Sequence, residues 1–233
     1  MIDTYTALDL ETTGLHPKQD RIIEIGAVKV EGGRQIASFQ SLIYPGRKLT
    51  EQVCALTGIQ DSMLEDAPEA EEIIPRLLEF IGEDVLVGHR ILFDFAFVKR
   101  AAVNQKLHFE KEGIDTLKLS RKFLPQLESR RLSCLCKHFG FSHQAHRALG
   151  DAQAASTLYL KLKELFGEEN EKDFSPRSLH WQTKKETPVT KSQKERLYKL
   201  LDKHRITIDE EIQKLTRNEA DRIIDRILAT YGR

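Results

Sequence analysis

Alternation of apolar and polar residues marks the beginning of the chain as β-structure. A strand over residues 3–11 places Leu8 and Leu10 on one face, because strand side chains alternate with a period of two. The residues of the opposite face are Tyr5, Ala7, Asp9 and Glu11. Further strands are predicted over residues 21–30 and 36–44, and Gly32-Gly33 between them is a hairpin signal. The chain therefore opens with an antiparallel meander.

Helical periodicity takes over after the meander. Apolar residues spaced by three and four predict a series of helices, at residues 50–56, 68–81, 91–104, 117–123 and 132–139. Residues 146–151 lead into a further long helix, which has Asp151 in its first turn and ends at about residue 166. Short apolar segments at 85–89 and 114–115 predict strands, and the first of these is typical of a parallel strand buried on both faces. The pattern indicates an α/β fold in which helices flank both faces of a mixed sheet.

The periodicity fades after residue 166. Residues 167–190 form a charged, Pro-containing stretch with no sustained pattern, which predicts a linker. Helix signals return from residue 191, and Thr216 and Glu219 have the spacing of a capping box. We therefore divide the chain into a main domain over residues 1–166, a linker over 167–190 and a small helical extension over 191–233.

Composition excludes several classes of protein. The formal net charge is zero, so no global basic field favours nucleic acid. The three cysteines form neither a disulfide framework nor a zinc pattern, and reduced thiols are the interpretation that we prefer. No apolar run approaches a membrane span, and the N-terminus lacks signal-peptide features. We expect a soluble cytoplasmic protein with no membrane partner.

Two carboxylates on one face of the first strand are the first candidate chemistry. Asp9 and Glu11 would repel each other, and partial burial raises that cost unless a cation or a shared proton offsets it. Hard oxygen ligands of this kind suit Mg²⁺ or Mn²⁺. The alternative is a strand end that leaves both acids in water.

Three more residues carry candidate chemistry. Asp94 begins a helix among phenylalanines; it either complements the helix dipole or is a buried acid in need of a partner. His146 precedes the long helix that Asp151 begins, and a loop histidine can act as a general base near neutral pH. Taken alone, His146 is better explained as an ordinary surface or core histidine.

The order of these residues carries a family resemblance. Asp9-Leu10-Glu11, then Asp94, then His146 with Asp151 five residues later resembles the DEDDh group of DnaQ-like exonucleases, which cut nucleic acids from the 3′ end. The likeness covers about residues 3–166 and is strongest to the proofreading subunit or domain of bacterial DNA polymerase III. Residues 56–59 and 66–68 also resemble family features. His89 departs from the family, in which Asn is usual.

The resemblance implies a ribonuclease H-like fold and metal-dependent hydrolysis. By this likeness Asp9, Glu11, Asp94 and Asp151 would bind two Mg²⁺ or Mn²⁺ ions, with Asp9 between them. His146 would take a proton from the attacking water, and the products would be nucleoside 5′-monophosphates. Leu15 would wedge against the last bases, although core packing is an equal alternative. The substrate-binding set implied by the resemblance is Leu10, Thr12, Thr13, Gly14, Leu15, Leu56, Thr57, His89 and Phe93.

Three functions remain open at this level. The preferred one is a DNA 3′-to-5′ exonuclease in proofreading or repair, acting on a single-stranded or frayed 3′ end, with a DNA polymerase subunit as a candidate partner. The second is the same chemistry on RNA, since small pocket changes accept or refuse a 2′-hydroxyl. The third is a non-catalytic nucleic-acid-binding scaffold. Residues 172–205 hold ten basic and four acidic side chains, so the tail either contacts substrate or partner, or is a solvated linker with a helical cap.

Overall fold

The computed structural model describes residues 1–142 and 147–232. Within these ranges six strands form one mixed sheet in the order β3-β2-β1-β4-β5-β6. The strands are β1 (Tyr5–Thr12), β2 (Ile22–Glu31), β3 (Arg34–Leu42), β4 (Leu86–Gly88), β5 (Glu112–Asp115) and β6 (Arg177–Ser178). β1, β2 and β3 pair antiparallel, whereas β4 pairs parallel with both β1 and β5. The predicted mixed sheet is confirmed.

Helices cover both faces of this sheet. Those preceding the extension are α1 (Glu51–Thr57), α2 (Asp61–Leu64), α3 (Ala70–Ile81), α4 (Leu92–Asn104), α5 (Thr116–Phe123), α6 (Leu132–Phe139) and α7 (Ala148–Phe166). The sequence pattern did not predict α2, because four residues are too few to show a period. In the part of the chain described here, no helix is long and apolar enough to cross a membrane.

The alternation in β1 separates two cores. In the first core, Tyr5 and Ala7 pack with α5, α6 and α7 on one face of the sheet. In the second core, Leu8 and Leu10 pack with α3 and α4 on the other face. This division places α7 on the face of β1 that also carries Asp9 and Glu11. The two-residue period therefore decides which helix meets the acids.

The segment after α7 follows the edge of the sheet. A 3-10 helix at Glu168–Asp173 precedes Phe174, which is fully buried in the first core, and β6 then pairs antiparallel with β5. A single buried aromatic residue and a two-residue strand leave no periodic signal, and the sequence pattern therefore predicted a linker here.

The extension has a core of its own. It consists of α8 (Lys191–His204), a 3-10 helix at Ile212–Lys214 and α9 (Arg217–Tyr231). Leu197, Leu200 and Ile224 are among its buried residues. Thr216 and Glu219 form the predicted capping box at the start of α9.

Candidate active site

Three predicted carboxylates meet where β1 faces the start of α7. Asp9 and Glu11 extend from β1, and Asp151 lies in the first turn of α7. One oxygen of each of these three side chains lies within 4.8 Å of the other two. Residues 142 positions apart in the chain thus form one group of hard oxygen donors, the kind of ligand that Mg²⁺ and Mn²⁺ prefer.

Asp94 approaches the same strand from the opposite helix layer. It lies in the first turn of α4 and is only 3% exposed. Its Oδ1 accepts a hydrogen bond of 3.1 Å from the backbone N–H of Leu10, the residue between Asp9 and Glu11. Asp94 is therefore a buried acid attached to β1, and not one that complements the helix dipole in open solvent. It lies outside the 4.8 Å group.

Proximity and burial raise the pKa values of these acids. Burial is the main reason that the pKa of Asp9 lies well above its usual range, and the charges of Asp94 and Asp151 raise it further. Burial also raises the pKa of Glu11 to about 7, with Asp151 adding to the effect. A divalent cation would offset this repulsion, so the residues present fit a metal site.

Glu24 is a member of this region that sequence reasoning missed. It lies on β2 directly opposite Glu11 and is fully buried. Its carboxylate accepts hydrogen bonds from Arg147 Nε at 3.1 Å and Nη2 at 2.9 Å, and from the backbone N–H of Ala148 at 3.1 Å. Glu24 therefore anchors the start of α7. An acid inside the apolar run 22–25 was the available signal, because a buried charge needs partners.

Gly26 allows α7 to approach the sheet this closely. It lies opposite Asp9, and a Cβ atom there would fall 2.1 Å from the backbone carbon of Ala148. The N–H of Asp151 in turn donates to the carbonyl of Arg147 at 3.0 Å. The two β2 residues opposite the acids of β1 thus fix the first turn of the helix that carries Asp151.

Comparison with known proteins now places the chain in a family. Residues 6–159 match the RNase_T family, described as exonuclease. The chain belongs to this exonuclease family. The resemblance predicted from the motifs and the predicted enzyme class, an exonuclease, are thereby confirmed.

The curated relatives of this exonuclease-family chain include DNA polymerase III proteins of bacteria. The PolC-type DNA polymerase III of Bacillus subtilis is 43% identical over 164 residues, which are 69% of this chain and 11% of that protein. The chain thus spans about a tenth of the length of the PolC relatives that it matches. The DNA polymerase III subunit epsilon of Aquifex aeolicus is 36% identical over 163 residues, and the match covers 81% of its length.

Solved exonuclease structures share the fold. Exonuclease X in complex with 5′ overhanging duplex DNA superposes with a TM-score of 0.57 at 28% identity, covering 70% of this chain and 93% of that one. An exonuclease I structure reaches 0.64 at 20% identity over 74% of this chain and 42% of that one, a likeness in fold alone. The predicted ribonuclease H-like fold is confirmed.

The predicted substrate-binding residues 12–15 lie at the end of β1 and in the turn that follows it. Thr12 Oγ1 donates to the carbonyl of Gly14 at 2.7 Å, and Thr13 Oγ1 accepts from the N–H of Arg21 at 3.0 Å. A Cβ atom on Gly14 would lie 2.6 Å from the carboxyl group of Asp20, so any larger residue there would displace the Asp20 side chain. Leu15 is 69% exposed. This exposure excludes the alternative that Leu15 packs in the core.

Two predicted substrate residues have side chains directed into the protein. Thr57 is buried, and its hydroxyl donates to the carbonyl of Val53 at 2.9 Å. Leu10 packs in the second core, so only its backbone faces the acids. Leu56 differs from both because it is exposed on α1, and Phe93 is partly buried against the second core.

His89 connects three segments near the acids. Its Nε2 lies 2.8 Å from the carbonyl of Arg130, and its Nδ1 lies 3.0 Å from Thr116 Oγ1. Burial lowers the pKa of His89, which favours the neutral ring. We assign the proton to Nε2, since a carbonyl oxygen can only accept. His146, the predicted base, lies outside the described residues.

Proposed function

We propose that this exonuclease-family chain is a metal-dependent 3′-to-5′ exonuclease. It hydrolyses the terminal phosphodiester bond of DNA and releases nucleoside 5′-monophosphates, in proofreading or repair. The observation that carries the proposal is the approach of Asp9, Glu11 and Asp151 to within 4.8 Å of one another beside buried Asp94. A protein that only bound nucleic acid would gain nothing from this mutual repulsion.

The acids have separate tasks in this proposal. Asp9, Glu11 and Asp151 would hold divalent metal, Mg²⁺ or Mn²⁺, and Asp94 would complete the site from the α4 side. Two bound ions supply stabilisation of the attacking and leaving oxygens of an in-line displacement. The Leu10 N–H keeps one oxygen of Asp94 in place, and Glu24 holds Arg147 and thereby the turn that bears Asp151.

The remaining residues handle water and substrate. A ring nitrogen of His146 would accept a proton from the attacking water, as a histidine of ordinary pKa can near pH 7. Exposed Leu15 and Leu56 would contact the terminal bases, while the backbone around Gly14 would lie beside the last nucleotide. The other predicted substrate residues would pack behind those that contact the terminal nucleotide and keep them in position; they are Thr12, Thr13, Thr57, His89 and Phe93.

DNA is the preferred substrate and a polymerase subunit the candidate partner. The curated relatives are DNA polymerase III proteins, and one structural relative is a complex with duplex DNA. Both facts support the proposal for this chain. No contact within the described residues favours RNA.

The test is digestion of matched DNA and RNA oligonucleotides labelled at the 5′ end, with Mg²⁺, with Mn²⁺ and with EDTA. We expect metal-dependent shortening of DNA from its 3′ end, weaker shortening of RNA, and none with Asp9→Asn. Glu31→Gln is the matched control, because Glu31 is an exposed acid at the far end of β2. Shortening of RNA but not of DNA would show that the substrate is RNA. Binding without cleavage by folded wild-type protein would indicate a scaffold.

A further inference from the structure

The extension meets the exonuclease domain through partly buried ion pairs. Glu219 of α9 is 4% exposed. Its Oε1 accepts hydrogen bonds from Arg21 Nη2 at 2.5 Å and from Arg47 Nη2 at 2.9 Å. These groups line a cavity of about 280 Å³ between the extension and the domain. The family match ends at residue 159, so Glu219 is a feature of this chain beyond that match.

A second acid from outside the family match reaches the same area. Glu186, which precedes α8, accepts a hydrogen bond of 2.5 Å from Arg100 Nη2. Asn104 Nδ2 donates to the Glu186 carboxylate, and the backbone N–H of Glu186 donates to Asn104 Oδ1 at 3.0 Å. The other nitrogen of the guanidinium, Arg100 Nη1, donates to the carbonyls of Pro17 and Asp20. Glu186 thus orients a buried arginine that binds the loop after β1.

Arg100 binds the loop of residues 13–21, which we call the substrate loop, and Arg21 is the last residue of that loop. Thr13 and Arg21 close it with two hydrogen bonds, Thr13 N–H to the Arg21 carbonyl at 2.9 Å and Arg21 N–H to Thr13 Oγ1 at 3.0 Å. Asp20 accepts from the His16 N–H at 2.8 Å and packs against Gly14. The position of exposed Leu15 therefore depends on Asp20 and Arg21, where the extension is attached.

We propose that the C-terminal extension supports the substrate loop, with Glu219 and Glu186 as positioning residues that set how tightly the 3′ terminus is held. The link to the 3′ terminus rests on the proposed function; the support of the loop does not. The Arg21 side chain depends on Glu219 because its buried Nη1 has no hydrogen-bond partner in the described part of the chain. Removing the carboxylate leaves the partly buried guanidinium of Arg21 without its counter-charge.

The main variant is Glu219→Gln, which is isosteric and keeps the capping box, since glutamine also serves at that position. Glu186→Gln tests the second contact and replaces the first variant should that one fail to fold. Glu211→Gln is the matched control: Glu211 lines the same cavity but accepts from Tyr44, which lies outside the substrate loop.

The first readout is trypsin cleavage after exposed Lys18 within the substrate loop, which needs no enzymatic activity. We expect cleavage about 3–10-fold faster in Glu219→Gln and Glu186→Gln, and unchanged in Glu211→Gln. Unchanged cleavage in both test variants at a temperature where they are folded would overturn the proposal.

The second readout is the steady-state kinetics of 3′-end removal. We expect KM for DNA to rise about 3–10-fold in the test variants with kcat nearly unchanged. A double-mutant cycle with Arg21→Gln should show non-additive effects on KM, because the two groups are in contact. Faster cleavage with unchanged KM would overturn the role in holding DNA. Faster cleavage in a wild-type protein that degrades no nucleic acid would support the loop contact and refute the proposed function.

Discussion

The molecule buries carboxylates in two regions and treats them in opposite ways. At the active site, burial and neighbouring acids together raise the pKa values of Asp9 and Glu11. At the extension, burial also acts to raise the pKa of Glu219, but Arg21, Thr216 and Arg47 outweigh it and the pKa is lowered. Burial is common to both regions, so the difference lies in the compensating charge that the chain itself supplies.

This difference separates stability from function. The extension compensates its buried acids with arginines, and the charges stabilise the folded state. The active site leaves its acids to repel one another, an arrangement that lowers stability until a cation binds. Removing one acid from each region should therefore change stability in opposite directions.

The largest expected effect comes from Asp9→Asn. Activity in Mg²⁺ should fall below detection, while the melting temperature in EDTA should rise because one repelling charge is gone. Glu219→Gln should instead lower the free energy of unfolding by about 1–3 kcal/mol, the cost of an unpaired buried partner. Activity assays and thermal melts of both variants check this. If Asp9→Asn and Glu219→Gln changed stability in the same direction, the contrast between the two regions would be wrong.

The next largest effect is expected for His146→Ala. Loss of a general base should lower kcat by roughly 10²–10⁴ and remove the acidic limb of its pH profile. His108→Ala, an exposed histidine before β5, is the control. A pH profile that keeps its acidic limb in His146→Ala would exclude this residue as the base.

Glu24→Gln sharpens the comparison because Glu24 is paired although it lies beside the acid cluster. We expect Mn²⁺ affinity, measured by calorimetry, to fall about 10–100-fold, the usual effect of losing a group that orients a metal ligand. Stability should fall as well, as at the extension, since Arg147 and Ala148 lose their acceptor. Glu31→Gln on the same strand should change neither quantity. A more stable Glu24→Gln protein would show that Glu24 belongs with the repelling acids.

Local patterns predicted the parts of the site that local structure determines. The period of β1 predicted that Asp9 and Glu11 share a face, and Asp151 was correctly placed in the first turn of its helix. The order of the motifs predicted the family. These features depend on strand and helix periods and on residues close in sequence, which a single chain displays directly.

Long-range pairs could not be predicted, because strand and helix periods relate only residues that are close in sequence. Arg21 and Glu219 are 198 positions apart, and no period relates them. Thr57 is a separate case, because its hydroxyl donates to the carbonyl of Val53 four residues earlier in the same helix, a local contact that the family resemblance did not indicate. Glu24 was the one missed residue with a visible signal, an acid within an apolar strand.

The smallest expected effect is a pH dependence of stability. In metal-free protein the pKa of Glu11 is about 7 against an ordinary 4.5, so between these values the folded state holds a proton that the unfolded state has lost. Stability therefore falls as pH rises through this window, and Glu11→Gln should abolish that loss. The full pKa shift would contribute about 2.5 kcal/mol between pH 5 and pH 8, but Glu11 is only partly buried and solvent screens its charge, so we take ~1 kcal/mol. The melting temperature of Glu11→Gln minus that of wild type, in EDTA, should therefore grow over this range by about 2–4 °C in a chain of this size. Glu219 has a lowered pKa, so its contribution has the opposite sign: it is present above the ordinary pKa and is lost as pH falls. A difference between Glu11→Gln and wild type that stayed constant over this range would mean that Glu11 is compensated from within the chain, and the contrast between the two regions would then rest on Asp9 and Asp94 alone.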